Sequence, residues 1–139
     1  MGHDVFTYGT LMVPEVMRAV TGQAYTHQRA ALHGFNRFRV RHEVYTAIIA
    51  AADASTTGRL YLGVDAASLK RLDDFEGEYY TRQSVTVMVT GDHGETHQAI
   101  AYVIADAHRH RLSDEPWDAA AFVEHHLPEF LNQMRGWMS

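Results

Sequence analysis

The chain has 139 residues, 46% of them hydrophobic and 21% charged, a size and composition that predict one globular domain over residues 1–139. A formal net charge of −5 argues against nucleic acid or an anionic membrane as the main partner and favours a small molecule. The sequence contains no cysteine, which excludes disulfides, thiolate metal ligands and a cysteine nucleophile.

The N-terminal residues lack a basic segment followed by an apolar run, and no 18 apolar residues follow one another anywhere in the chain. We therefore expect neither a secretion signal nor a membrane span, and we expect a cytoplasmic protein.

A short β-branched and aromatic run at residues 5–8 predicts the first strand, which Gly9 and Thr10 end abruptly. Pro14 then opens a helix that should continue to about residue 21 and end at Gly22. Successive N–H groups in such a turn can bind an anion or a developing oxyanion. A plain tight connection is the alternative, and these residues alone favour it.

Residues 28–64 read as several strands, because apolar or small positions alternate there with polar ones. Within them, Arg37, Arg39 and Arg41 alternate with Phe38 and Val40, so the three guanidinium groups share one face of a strand. A solvated face of the sheet is the preferred interpretation. A surface that binds anions or RNA is the alternative, and the acidic total charge weakens it.

The most informative stretch is residues 65–82, which predicts a short helix carrying a carboxylate on its apolar side. Asp65 is suited to the N-cap and Gly77 to the exit of this helix. Glu76 follows Leu69 by seven residues and Leu72 by four, and this spacing places its side chain on the inward face.

Both burial and the negative end of the helix dipole disfavour an ionised Glu76. We therefore expect the pKa of its carboxyl to lie above the ordinary value of about 4.3, which suits a general base near neutral pH. The alternative, which helix geometry alone favours, is that Glu76 turns outward or pairs with Arg82 or Arg59.

After this helix, alternation at residues 83–90 and 98–105 predicts a β-hairpin with its turn at residues 91–95. Ser113 or Asp114 should then cap a C-terminal helical segment that Pro128 restarts. The apolar residues expected to cover the sheet from this segment are Trp117, Ala121, Leu127, Phe130, Leu131, Met134 and Trp137.

The sequence has no G-x-S-x-G, Walker, G-x-G-x-x-G or H-E-x-x-H motif, which removes several common enzyme classes. Ten histidines are present, and we interpret His108, His110, His125 and His126 as surface residues. His93 and His97 flank the predicted hairpin turn and would need further ligands to hold a metal. We predict no required metal.

Four motifs, in this order and spacing, resemble the γ-glutamylcyclotransferase-like superfamily, and in particular its plant avirulence-induced and bacterial members. They are YGTL at residues 8–11, Gly58 in the strand GRLY, LDDFEG at residues 72–77, and Y-x-R at residues 80–82. The similarity extends from Val5 to about Val103. Many close relatives carry proline at the position of Thr46.

The resemblance implies an α+β fold with a small mixed β-barrel or sheet on which a few helices pack, and a pocket between the YGTL turn and the acidic helix. It also implies a reaction that needs no cofactor, in which a γ-glutamyl amine or peptide cyclises to 5-oxoproline and releases a free amine. Glu76 aligns with the family's general acid/base. Substrate would be bound by Tyr8, Gly9, Thr10, Leu11 and Tyr80.

Two functional classes remain open on the sequence: this cyclotransferase, and a noncatalytic domain of the same fold that binds a small metabolite. A homodimer also remains open. We expect Tyr80 to wall the pocket beside Glu76, and Tyr79 to point the other way on the emerging strand. Asp73 is interpreted as a structural carboxylate that bonds local backbone.

Overall fold

The computed structural model describes residues 2–40, 46–89, 95–113, 117 and 119–138, and within them it contains five β-strands and four α-helices. The strands are β1 (His3–Thr7), β2 (His27–Arg39), β3 (Thr46–Val64), β4 (Tyr80–Val89) and β5 (Thr96–Ile104). The helices are α1 (Pro14–Thr21), α2 (Ala66–Glu76), α3 (Ala119–His125) and α4 (Leu127–Met138), and 3-10 turns occupy Thr10–Met12, Gly77–Tyr79 and Asp106–Arg111.

The five strands form a closed barrel in the order β1-β3-β2-β4-β5. Every neighbouring pair is antiparallel except β1 and β5, which close the barrel in parallel with Val5 opposite Ile100. The predicted α+β fold with a barrel-like sheet is thereby confirmed.

The expectation of several strands between residues 28 and 64 was wrong, because two long strands contain all the described residues of this region except Val40. β2 and β3 pair from His27 opposite Tyr61 to Arg39 opposite Thr46, and the register shifts between His33 and Phe35. Gly34 lies at this shift with φ of 89°, a left-handed conformation that glycine adopts without strain. The irregularity bends the strands without ending them.

Both predicted early helices form where local signals place them. α1 begins at Pro14 and ends at Gly22, whose φ is 80°. The Asp65 carboxylate caps α2 by accepting a hydrogen bond from the Ser68 amide at 3.3 Å, and Gly77 ends this helix with φ of 75°.

Two large apolar clusters hold the elements together. The first consists of strand residues together with Tyr8, and it includes Phe6, Leu60 and Val87. The second joins the barrel to the helices through Val16, Met17, Leu69, Leu72, Tyr102, Trp117, Phe122 and Phe130. Trp117 and Phe130 are therefore buried as expected, and the second cluster fixes α2 against the barrel.

The described part of the predicted C-terminal helical segment begins at Ala119. The Ser113 hydroxyl donates to the Arg39 carbonyl at 2.9 Å, and residues 114–116, which include the other predicted cap, lie outside the described residues. Pro128 is the second residue of α4, as predicted. Asp114, Arg41, the turn at residues 91–94 with His93, and the side chains of Met134 and Trp137 lie outside the described residues.

None of the helices in the described part of the chain is long and apolar enough to cross a membrane.

Candidate active site

A cavity of about 230 Å³ lies between the turn that follows β1 and the C-terminal end of α2. All six residues proposed from the sequence as site residues line it, namely Tyr8, Gly9, Thr10, Leu11, Glu76 and Tyr80. The other lining residues are Phe6, Thr7, Val40, Thr46, Phe75, Tyr79 and Tyr102. Glu76 is the single charged residue in this set.

Glu76 is the last residue of α2, and its predicted inward orientation is confirmed by its place in the cavity lining. The residue is partly accessible to solvent, yet its carboxylate has no hydrogen-bond or ion-pair partner among the described residues. Burial raises the pKa of this carboxyl from 4.5 to about 8. The cause is desolvation, which disfavours the charged form.

The arginines that could have neutralised Glu76 are engaged elsewhere. Nη1 of Arg59 lies 3.0 Å from the His27 ring nitrogen, and Nε of Arg82 lies 3.1 Å from the Asp73 carboxylate. The alternative in which Glu76 pairs with one of them is thus wrong. The carboxylate in the cavity is left without a compensating charge from either arginine.

Asp73, one helical turn before Glu76, was expected to bond local backbone, and this expectation was wrong. Its carboxylate accepts a hydrogen bond from the Tyr102 hydroxyl at 2.6 Å and pairs with Arg82. Since Tyr102 belongs to β5 and Arg82 to β4, Asp73 ties the end of α2 to two strands. This attachment fixes the helical turn that carries Glu76.

The YGTL turn continues from β1 into a 3-10 turn, in which Met12 and Val13 donate to the carbonyls of Gly9 and Thr10 at 2.9 and 3.1 Å. Gly9 has φ of −130°, so its backbone angle does not require glycine. The available space does require glycine, because a Cβ on Gly9 would overlap Cγ2 of Thr46. The Thr46 hydroxyl is itself fixed by a hydrogen bond to the Phe38 carbonyl at 2.6 Å.

Two of the tyrosine hydroxyls around the cavity, those of Tyr8 and Tyr80, bond backbone carbonyls. The Tyr8 hydroxyl donates to the carbonyl of Tyr102, and the Tyr80 hydroxyl donates to the carbonyl of Thr46 at 2.9 Å. Burial also raises the pKa of the Tyr8 hydroxyl well above its ordinary value, so this group stays protonated. The Tyr80 ring therefore walls the cavity as expected, while its hydroxyl holds Thr46 in place.

Tyr79 was expected to point away from the pocket, but it lines the cavity. The prediction applied strand alternation to a residue that belongs to the 3-10 turn Gly77–Tyr79, where that alternation does not hold. The Arg111 guanidinium lies 4.2 Å from the centre of the Tyr79 ring, and the His108 ring lies 4.5 Å from it. His108 is accordingly a partly buried residue that packs against Tyr79, contrary to its interpretation as a surface histidine.

Sequence reasoning also misplaced Arg37. It was expected on a solvated face, but it is partly buried, and its Nη1 donates to the carbonyls of Tyr8 at 2.7 Å and Thr57 at 3.0 Å. Its guanidinium also stacks 5.6 Å from the centre of the Trp117 ring. Alternation along β2 placed Arg37 on the correct strand but could not reveal these partners.

Metal ligands do not converge in the described residues, which contain no group of three or more histidine or carboxylate side chains arranged to hold an ion. His97 lies 3.7 Å from the Glu95 carboxylate.

The closed five-stranded barrel with helices packed on it places the chain in the class of γ-glutamylcyclotransferase-like folds that the sequence resembles. The family described as "Gamma-glutamyl cyclotransferase, AIG2-like" matches residues 5–119, and the chain belongs to this family.

Relatives from Arabidopsis thaliana match over most of the chain. The chain is 34% identical to "AIG2-like protein C", covering 93% of this chain and 74% of that protein. It is 32% identical to "AIG2-like protein D", covering 96% and 87%.

Solved structures agree on the architecture. The solution structure of an Arabidopsis thaliana protein superposes with a TM-score of 0.73 at 27% identity, covering 99% of this chain and 82% of that one. A structure of a γ-glutamyl cyclotransferase superposes with a TM-score of 0.68 at 15% identity, covering 97% and 87%. The latter likeness concerns the fold alone.

Proposed function

We propose that this protein is a γ-glutamylcyclotransferase that converts a γ-glutamyl amine or γ-glutamyl peptide into 5-oxoproline and a free amine. The observation that carries the proposal is the Glu76 carboxylate, which faces the cavity without a partner among the described residues and whose pKa burial raises to about 8. Family membership supports the reaction type.

The reaction is an intramolecular transfer of an acyl group from one nitrogen to another. The substrate's α-amino nitrogen attacks its γ-carbonyl carbon and forms a five-membered ring. The bond between this carbon and the leaving nitrogen then breaks, giving 5-oxoproline and the amine. Starting from an ammonium, the α-nitrogen loses two protons on its way to the ring amide N–H, and the leaving nitrogen gains two as it departs as an ammonium. A single group can therefore carry protons from one nitrogen to the other.

Glu76 is suited to this proton transfer because its pKa lies close to that of an α-ammonium group, roughly 8 in peptides. A proton can therefore pass between the two groups with a small free-energy difference. A bound ammonium next to Glu76 would also favour the ionised carboxylate, which is the form that accepts the proton. Glu76 would next return the proton to the departing nitrogen.

The attack places negative charge on the γ-carbonyl oxygen, and this charge needs hydrogen-bond donors. The amides of Gly9, Thr10 and Leu11 belong to buried residues that line the cavity. We assign them to the glutamyl group or its developing oxyanion, where removal of one such donor typically lowers the rate about 10²- to 10³-fold. The proposed reaction requires no cofactor, since it combines only proton transfer and charge stabilisation.

The test of this proposal is the Glu76→Gln variant, which keeps the shape of the side chain but cannot accept a proton. We expect 5-oxoproline release to fall at least about 10²-fold. The assay should span γ-glutamyl dipeptides, γ-glutamylamines and ε-(γ-glutamyl)lysine. Glu78→Gln, which changes an exposed carboxylate two residues away, is the matched control and should retain activity.

The pH profile provides a second readout in the same assay. Because kcat/KM reports groups of the free enzyme, its acidic limb should have a midpoint near the Glu76 pKa of about 8. Binding of 5-oxoproline without turnover of any substrate would instead favour the noncatalytic domain. Full turnover by Glu76→Gln would remove Glu76 from the mechanism.

A further inference from the structure

The peptide bond between Tyr8 and Gly9 is held from outside the cavity. Nη1 of Arg37 donates to the Tyr8 carbonyl at 2.7 Å, and Arg37 is not among the residues that line the cavity. The Tyr8 carbonyl is thus directed toward a guanidinium that lies behind the cavity wall.

Because the peptide bond is trans, the contact of the Tyr8 carbonyl with Arg37 also fixes the direction of the Gly9 N–H. The described chain contains no cis peptide bond, and in a trans peptide the C=O of one residue and the N–H of the next point in opposite directions. With the Tyr8 carbonyl turned toward Arg37, the Gly9 N–H points the other way. Gly9 lines the cavity and Arg37 does not, a placement consistent with an N–H that is directed into the cavity.

Within the described part of the chain, the Gly9 amide is also a donor without an acceptor. Gly9 is buried, and none of the hydrogen bonds of the described residues uses its N–H. A buried amide left unpaired is unfavourable, and such groups are rare unless water or a ligand accepts from them. The orphan donor is therefore suited to an oxygen atom of a molecule bound in the cavity.

Arg37 is itself held firmly enough to fix the peptide. The nitrogen that binds Tyr8 also donates to the Thr57 carbonyl on β3 at 3.0 Å, and Cζ of the guanidinium lies over the Trp117 ring, 5.6 Å from its centre. Arg37 thus joins β2, β3 and the segment before α3 at the back of the YGTL turn. A lysine ammonium could donate to both carbonyls from its one nitrogen, but it lacks the planar guanidinium that lies over the Trp117 ring.

We propose that Arg37 is a positioning residue that aims the Gly9 N–H into the cavity, at the carbonyl oxygen of the bound glutamyl group. This inference rests on the proposed function. Arg37 would act without touching substrate, by holding one peptide in the orientation that the developing oxyanion needs. Such preorganisation strengthens interactions mainly in the transition state, so its loss should lower kcat more than it raises KM.

The experiment compares Arg37→Met, Arg37→Lys and the control Arg29→Met, which alters an exposed arginine on the same strand. We expect Arg37→Met to lower kcat about 10-fold or more, less than the loss of an entire oxyanion donor, with little change in KM. Arg37→Lys should recover part of the loss, and Arg29→Met should match the wild type. Thermal unfolding of each variant reports whether it folds. If Arg37→Met does not fold, the comparison of Arg37→Lys with the wild type is the test.

A second readout does not depend on turnover. In amide NMR spectra, adding 5-oxoproline should shift the Gly9 resonance of the wild-type protein and of Arg29→Met, and this shift should be lost in Arg37→Met. A Gly9 response retained in Arg37→Met, together with unchanged kcat, overturns the inference. The inference is also overturned if the wild-type protein turns substrate over but its Gly9 resonance does not shift when 5-oxoproline is added. That result leaves the proposed function standing. If the Gly9 shift depends on Arg37 but no substrate is turned over, the positioning role of Arg37 is supported and the proposed cyclotransferase function is overturned.

Discussion

The contact between Gly9 and Thr46 explains why the YGTL turn needs glycine here. A methyl group at position 9 would overlap Cγ2 of Thr46, and overpacking of this kind costs about 1–3 kcal/mol. We expect Gly9→Ala to destabilise the fold by this order and to lower kcat/KM by displacing the turn. Thermal unfolding and 5-oxoproline release measure the two effects.

The matched rescue is Thr46→Ser, which removes Cγ2 and keeps the hydroxyl that bonds the Phe38 carbonyl. The double variant Gly9→Ala with Thr46→Ser should recover most of the lost stability and activity, a coupling that a double-mutant cycle detects. Additive effects of the two substitutions would show that the Gly9 requirement has another origin.

At the scale of single residues, the sequence predicted what depends on local spacing. The inward orientation of Glu76 follows from its distance to Leu69 and Leu72 on one helix. The contacts of Arg37 with Tyr8 and Thr57 join residues far apart in the chain, so alternation along β2 could not reveal them. Tyr79 was misplaced because a 3-10 turn occupies the point where a strand was expected to begin.

At the scale of elements, the attachment of α2 to β4 and β5 keeps a cation away from Glu76. Asp73 holds Arg82 at 3.1 Å, and Glu76 lies one helical turn further on. We expect Asp73→Asn to release Arg82 and to remove a negative charge near Glu76. Both changes favour the ionised carboxylate, so the acidic limb of the kcat/KM profile should move about 1 pH unit lower.

The control is Asp74→Asn, which neutralises the neighbouring exposed carboxylate. Its profile should coincide with that of the wild type. An acidic limb that stays near 8 in Asp73→Asn would mean that Arg82 does not reach Glu76 once it is released.

Helices were predicted more accurately than strands because their end signals are local. Pro14 and Gly22 bound α1, and Asp65 and Gly77 bound α2, each within one residue of its sequence prediction. Strands β2 and β3 were divided into too many pieces, since small and polar residues in the sequence resemble turns. Both strands are continuous because they pair with each other as neighbours in the barrel. This pairing joins residues too far apart in the chain for a short window of sequence to contain it.

At the scale of the whole molecule, Glu76 should lower stability as the pH rises. Its pKa is 4.5 in the unfolded chain and about 8 in the folded one, so the protein favours the protonated form. The contribution of Glu76 to folding stability is therefore most favourable below about pH 4.5, falls between these two values, and is constant above about 8. Because Glu76 is partly accessible to solvent, we expect a loss of roughly 1–3 kcal/mol, less than the full shift implies.

Glu76→Gln should remove this loss. Its melting temperature should equal that of the wild type near pH 5 and exceed it by several degrees at pH 9. Taking the difference between the two proteins cancels the titration of the ten histidines, which are common to both. Glu78→Gln should follow the wild type at both pH values. A difference in melting temperature that does not grow with pH would contradict the raised pKa.

The parallel pairing of β1 with β5 constrains how the barrel can arise during synthesis. Val5 meets Ile100, and β1 finds its other neighbour, β3, only through residues 59–64. During synthesis, β1 and the turn after it can complete their pairing only after both β3 and β5 have left the ribosome. Contacts this distant in sequence slow folding and leave a strand edge unprotected in the meantime. The cavity is thus expected to form late in folding, after β5 has left the ribosome.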